Sequence, residues 1–209
     1  RPALDEELDA LKKLPDEVEN YKKAFGVEMF VGEATGYEFR RKLIMEPSMN
    51  IDGIVSGYTG SGAKTITPSM ASVKLDFRLV PDQDPKKILD DLRTHLNQHG
   101  FSDIKLNVFS SVQPARTPIN HPFVSIVSAS ARKIYGSEPY IQPNMPGTGP
   151  QYIIQQLLSV PVASSGIDYP GNRIHAPNEN IRRDLFRPGI MHAADLLIEL
   201  GRLGETTEA

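Results

Sequence analysis

The 209-residue chain predicts two successive architectures, an α+β layer with one sheet and helices on one face, then an α/β layer. Three observations carry that expectation. Val73, Leu75, Phe77 and Leu79 alternate with Lys74, Asp76 and Arg78, the period-two pattern of a half-buried strand. An earlier short apolar run over residues 49–55 and a helix pattern over 85–99 flank it, giving the first layer its strand–helix order. Beyond a proline-bearing crossing at residues 113–118, helix and strand patterns alternate up to a strong final helix.

Each element follows from local signals. Leu8, Leu11 and Leu14 recur at spacings of three, so residues 6–14 predict a helix that Pro15 closes. Asp16 caps a second helix over 16–25, with Glu17 and Glu19 early, Lys22 and Lys23 late, and Gly26 as the stop. Residues 37–45 predict a third helix and 49–55 a strand, followed by a glycine-rich loop over 56–62. The alternating strand over 70–80 ends at Pro81. Asp84 and Pro85 open a helix with the stripe Ile88, Leu89, Leu92 and Leu96, and Gly100 ends it. Ile104, Leu106 and Val108 alternate as a further strand. In the second half, helices are expected over 122–135, 152–158 and 187–203, with a strand over 160–163 and a long loop over 166–180. The domain division falls at 115/116.

Composition excludes several classes of function. Lys and Arg number 23 against 26 Asp and Glu, a net charge of −3, which speaks against phosphate-backbone binding. No run approaches the roughly 18 apolar residues of a membrane span, and no signal-peptide pattern follows Arg1, so a cytoplasmic location without membrane association is expected. Cysteine is absent, which removes disulfides, thiol nucleophiles and Cys-ligated metals. Any metal must rest on His, Asp or Glu.

The stretch from Gly57 to Thr65 imitates a phosphate loop, but Ala63 separates Gly62 from Lys64, and Thr65-Ile66-Thr67-Pro68 cannot open the required helix. His95 and His99 have helical metal-pair spacing without the following Glu of a metalloprotease helix, so they read as surface residues. His121 reads as a capping residue before Pro122, and His192 as structural. His175 differs: it sits in a loop dense in Gly, Pro, Asn and Asp after a short apolar run, where α/β sheets place their sites. From pattern alone, a zinc ligand and a backbone-bonded loop histidine are both open.

Three segments in order resemble the zinc metallopeptidase family of aminoacylase, succinyl-diaminopimelate desuccinylase and the carnosinase-type dipeptidases, most closely the dipeptidase branch. They are Gly62-Ala63-Lys64-Thr65-Ile66-Thr67-Pro68 running into Lys74–Pro81, Pro146-Gly147-Thr148-Gly149-Pro150, and Ile174-His175-Ala176-Pro177-Asn178-Glu179-Asn180-Ile181. The resemblance implies a ferredoxin-like lid with an antiparallel sheet over residues 1–115, joined at 116–209 to the second half of an α/β catalytic domain. It implies hydrolysis of the amide bond of dipeptides or acylated amino acids by water activated between two zinc ions, or Mn or Co in their place. Thr65, Arg78, Gly147 and Thr148 would bind the substrate carboxylate, His175 would be the last metal ligand, and the lid would form a homodimer.

The departures are part of the expectation. The family's upstream His-x-Asp motif, Glu-Glu pair and general base are not found here, and the lid histidine is missing too, since no His precedes His95. Gly147 stands where relatives often carry Ser. One histidine cannot hold two zinc ions, so the chain reads as the C-terminal part of such an enzyme, inactive alone. The alternative is a dimerisation or interaction module with no catalysis of its own.

Overall fold

The computed structural model describes residues 1–207, with side chains described through Leu203. It divides into two compact units. The first comprises Arg1, Glu46–Pro114 and Pro146–Gly149, and the second Pro2–Met45, Ala115–Met145 and Pro150 onward.

The first unit is built on an antiparallel pair, β1 (Ser48–Ser56) and β2 (Ala71–Arg78). Met49 pairs with Phe77, Ile51 with Leu75 and Ile54 with Val73. Paired residues share a face, so these six side chains form one apolar side. Strict alternation along β1 would have put Gly53 there instead of Ile54. A bulge between Ile51 and Gly53 leaves Asp52 unpaired and restores the apolar phase. The opposite face carries Asp76 and Arg78, paired with Asn50 and Ser48. Helix α4 (Pro85–Gln98) begins where Asp84 accepts the Lys86 N–H at 2.9 Å. It ends at Gly100, whose φ of +84° lets the Phe101 N–H fold back onto the Leu96 carbonyl at 2.9 Å.

The second unit is helical. Its N-terminal part holds α1 (Asp5–Lys13), α2 (Val18–Phe25) and α3 (Gly36–Met45), with a 3₁₀ turn at Val31–Glu33 between the last two. Val18, Ala34 and Phe39 are buried together, and Phe30 packs tilted against Phe39 with ring centroids 4.6 Å apart. Leu11 is completely buried. Glu7 of α1 meets Arg116 at 2.7 Å, and the Asn144 amide donates to the Ile44 carbonyl at 3.0 Å. The remaining helices are α5 (Pro122–Tyr135), α6 (Gln151–Leu158) and α7 (Arg183–Thr207). Helix α7 starts before the expected residue 187 and carries Pro188 inside it, at the loss of one backbone donor.

Two predicted strands do not form. Residues 104–108 and 160–163 have no ladder partner, and among the described residues the only sheet is the β1–β2 pair. The second unit therefore shows no strand where an α/β layer was expected. Alternation marks a chain suited to a sheet, but a ladder needs a neighbouring strand to receive its hydrogen bonds. At Val162 a side chain does that work instead: the Thr117 hydroxyl donates to the Val162 carbonyl at 2.6 Å and accepts from its N–H at 2.9 Å. No helix among the described residues is long and apolar enough to cross a membrane.

Helices α5 and α7 share a buried polar chain. The Ser130 hydroxyl donates to Asp195 at 2.7 Å and lies 3.1 Å from His192 Nδ1, while Lys133 reaches the other Asp195 oxygen at 2.5 Å. The Lys133 hydrogen bond, then that of Ser130, hold the Asp195 carboxyl below its ordinary value of 3.8. A carboxyl depressed by folding stabilises the fold above its unfolded value, and that contribution disappears as the pH falls through the folded one. Acid titration of wild type against Asp195→Asn should therefore show a stability difference that is constant near neutrality and shrinks only below the ordinary carboxylate range. A difference that grows on acidification would contradict the arrangement.

Candidate functional site

Arg78 closes β2 on the polar face of the pair. Its Nε donates to Asp76 Oδ2 at 2.6 Å and its Nη1 to Thr148 Oγ1 at 2.9 Å. The second bond spans seventy residues of sequence and ties the loop Pro146–Gly149 to the strand within the first unit. Nη2 has no protein partner among the described residues, and Gly147 and Thr148 are exposed beside it. A guanidinium held by two of its nitrogens, with a third open to solvent, is suited to a carboxylate or another small anion.

Thr65 lies in the same unit, exposed and without a hydrogen bond from its hydroxyl among the described residues. The preceding loop turns through Gly57 and Gly62, at φ +77° and +81°. Tyr58 folds over Gly60, donates to the Ser61 carbonyl at 3.1 Å and receives Lys64 on its ring face. A Cβ at Gly60 would lie 2.5 Å from the Tyr58 hydroxyl, so a larger residue there would push the exposed tyrosine ring aside. The loop contains no helix N-terminus for a phosphate, in line with the rejected nucleotide motif.

His175 belongs to the second unit and is exposed. Its backbone is left-handed, φ +59°, as are those of Arg173 and Asn178 at +57° and +65°. Three non-glycine residues in that region are strained and need neighbours to hold them. Asn180 supplies the hold: its side-chain amide donates to the carbonyls of Gly171, Asn172 and Asn178, its N–H to Asn172, and its oxygen accepts from the Tyr169 hydroxyl. The Asn172 side chain accepts from the Ile174 N–H. The imidazole itself makes no hydrogen bond among these residues. Both ring nitrogens stay available on a preorganised loop.

The described residues do not fit a two-metal centre. No three His, Cys, Asp or Glu side chains come together in a group that could hold a metal ion. The His95 and His99 rings lie tilted against each other with centroids 4.2 Å apart, with His99 Nδ1 on the His95 carbonyl, at the surface end of α4. His121 accepts the Phe123 N–H and caps α5, and His192 is 3% exposed inside the α5–α7 chain. The capping and structural expectations for these two match that placement. Sequence reasoning passed over Asp76, which read only as an outward position of β2. The signal was its i, i+2 relation to Arg78, which puts both on one face.

A model of the peptidase dimerisation domain matches residues 3–103. The chain is 24% identical to the Beta-Ala-His dipeptidase of Rattus norvegicus, over 97% of its own length and 42% of that protein. It is 25% identical to the Cys-Gly metallodipeptidase DUG1 of Saccharomyces cerevisiae, over 66% of its own length and 30% of that protein. Among solved structures, the M20 family metallo-carboxypeptidase Sso-CP2 from Sulfolobus solfataricus superposes with a TM-score of 0.80 at 38% identity, covering 94% of this chain and 45% of that one. Human carnosine dipeptidase 1 superposes at 0.78 with 23% identity, which shows likeness of fold. The chain spans less than half the length of these relatives.

Proposed function

Because the chain is a relative of the M20 metallopeptidases and carries their dimerisation domain, we propose that it supplies the lid and the second half of the catalytic domain of a peptidase acting on dipeptides or acylated amino acids. The observation that carries this reading is the Arg78–Thr148 hydrogen bond, which brings two of the three family-like segments into one anion-binding group. In this reading residues 1–115 form the lid side and 116–209 the catalytic side. The change of compact unit between Pro114 and Ala115 supports that boundary, while α1–α3 pack with the second unit.

Arg78 pairs with the substrate carboxylate, Thr148 and the Gly147 backbone line the same cradle, and Thr65 adds a hydroxyl from the loop before β2. Aligning the carboxylate fixes the neighbouring amide, which is the positioning share of catalysis. His175 offers one metal ligand, a neutral imidazole suited to zinc. Further ligands and a general base come from outside this chain, so no hydrolytic step is assigned to its residues. The dimerisation domain supports a homodimer; a module that only associates is the second reading, favoured by the absence of a ligand cluster among the described residues.

Metal analysis and a dipeptide panel on the complete protein separate the two readings. The enzyme reading expects hydrolysis of substrates with a free carboxylate, abolished by chelation; a metal-free protein inert on the whole panel would refute it. Arg78→Lys should raise KM by roughly tenfold with kcat little changed, because an ammonium cannot reproduce the guanidinium fork. Unaltered kinetics would remove Arg78 from the cradle.

A further inference from the structure

We propose that Asp76 is the residue that positions Arg78 for carboxylate capture, a role that rests on the reading of Arg78 as the anion-binding residue. Arg78 sits on a strand end with half its side chain in solvent. A guanidinium on a long flexible stem must give up rotamer freedom before it can grip a ligand. Asp76, two residues back on the same face and only one-third exposed, takes the Arg78 Nε at 2.6 Å. Only one Asp76 oxygen engages the guanidinium, and it engages Nε. That sets the guanidinium plane, turns Nη1 to Thr148 and leaves Nη2 uncommitted. The rotamer is fixed before the ligand arrives.

The same carboxylate also opposes an incoming anion by charge, and the two effects have opposite signatures. If Asp76 acts by positioning, Asp76→Ala frees the arginine and weakens carboxylate binding, while Asp76→Asn keeps an acceptor for Nε and restores it. If Asp76 acts only by charge, both substitutions tighten binding. Asp76 is partly exposed and contributes to no buried cluster, so both variants leave the pairing of β1 and β2 to its apolar face.

The test titrates the 209-residue chain with N-acetylglycine, reading affinity by calorimetry and the Arg78 Nε–H resonance by nitrogen-15 NMR, with circular dichroism to verify the fold. Expected are a resolved Nε–H signal in wild type, its loss in Asp76→Ala with affinity down roughly threefold to tenfold, and recovery of both in Asp76→Asn. Arg78→Lys is the control for the underlying reading. If it leaves probe affinity unchanged, Arg78 does not bind the anion and the proposal falls with that reading. If it weakens binding while Asp76→Ala does not, the anion site stands and the positioning role is overturned.

Discussion

If His175 has the proposed ligand role, His175→Asn in the complete protein is expected to lose one metal equivalent and to lower kcat/KM by roughly a hundredfold or more, beyond the loss seen when only a ligand's supporting partner is removed. Asparagine is the informative replacement. His175 holds φ at +59°, a region that asparagine enters more readily than most side chains, so the loop keeps its path while the imidazole disappears. The Asn180 and Asn172 hydrogen bonds that brace the loop do not involve the His175 side chain and should persist. Metal content by mass spectrometry and an unchanged dichroism spectrum together isolate the ligand. Full metal occupancy in that variant would remove His175 from the centre.

The largest expected effect on stability is at Arg116. Its side chain is 11% exposed and faces a Glu7 carboxylate that is 3% exposed, at 2.7 Å. Removing one member of a buried pair strands the other charge, at a cost of about 3–5 kcal/mol, whereas replacing both by apolar side chains of similar volume is often neutral. Glu7 has a second duty, since it accepts the Leu4 N–H at 2.9 Å and closes the first turn of α1. Arg116→Ala should therefore unfold at much lower urea, with Glu7→Gln milder because the cap survives. Adding Glu7→Leu to Arg116→Leu should recover part of the loss. A double-mutant cycle by urea denaturation gives the coupling directly, and a value near zero would mean that the pair does not hold α1 in place.

Helices were legible in this sequence because their start and stop signals are local. Asp84 before Pro85, Gly26 after α2 and Gly136 after α5 act within one turn of the backbone they govern. Strands were legible only where both partners lie close in sequence. Met49–Val55 and the alternation through Phe77 found each other across the single loop at 57–70, while Ile104, Leu106 and Val108 carry the same period and have no ladder to join among the described residues. The packing of α1–α3 with the second unit was not legible at all. It depends on meetings such as Glu7 with Arg116 and Ile44 with Asn144, about a hundred residues apart, and no periodicity encodes those. Of the site, Arg78 and Thr148 came from motif likeness and the structure joins them. Thr65 and His175 stand exposed, without hydrogen bonds of their side chains among the described residues, and their roles are proposals.

The unpaired Asp52 also bears on how β1 can change length. The pairings on either side of it, Ile51 with Leu75 and Gly53 with Lys74, are already consecutive on β2. Deleting Asp52 would therefore close the strand into a regular ladder without turning a single side chain to the other face. Deleting any other interior residue of β1 while the bulge persists would invert everything on one side of the cut and move Met49 and Ile51, or Ile54, to the arginine face. In a lineage of such chains, a one-residue gap in β1 belongs at this position, and a gap placed elsewhere would misalign the strand by half a period.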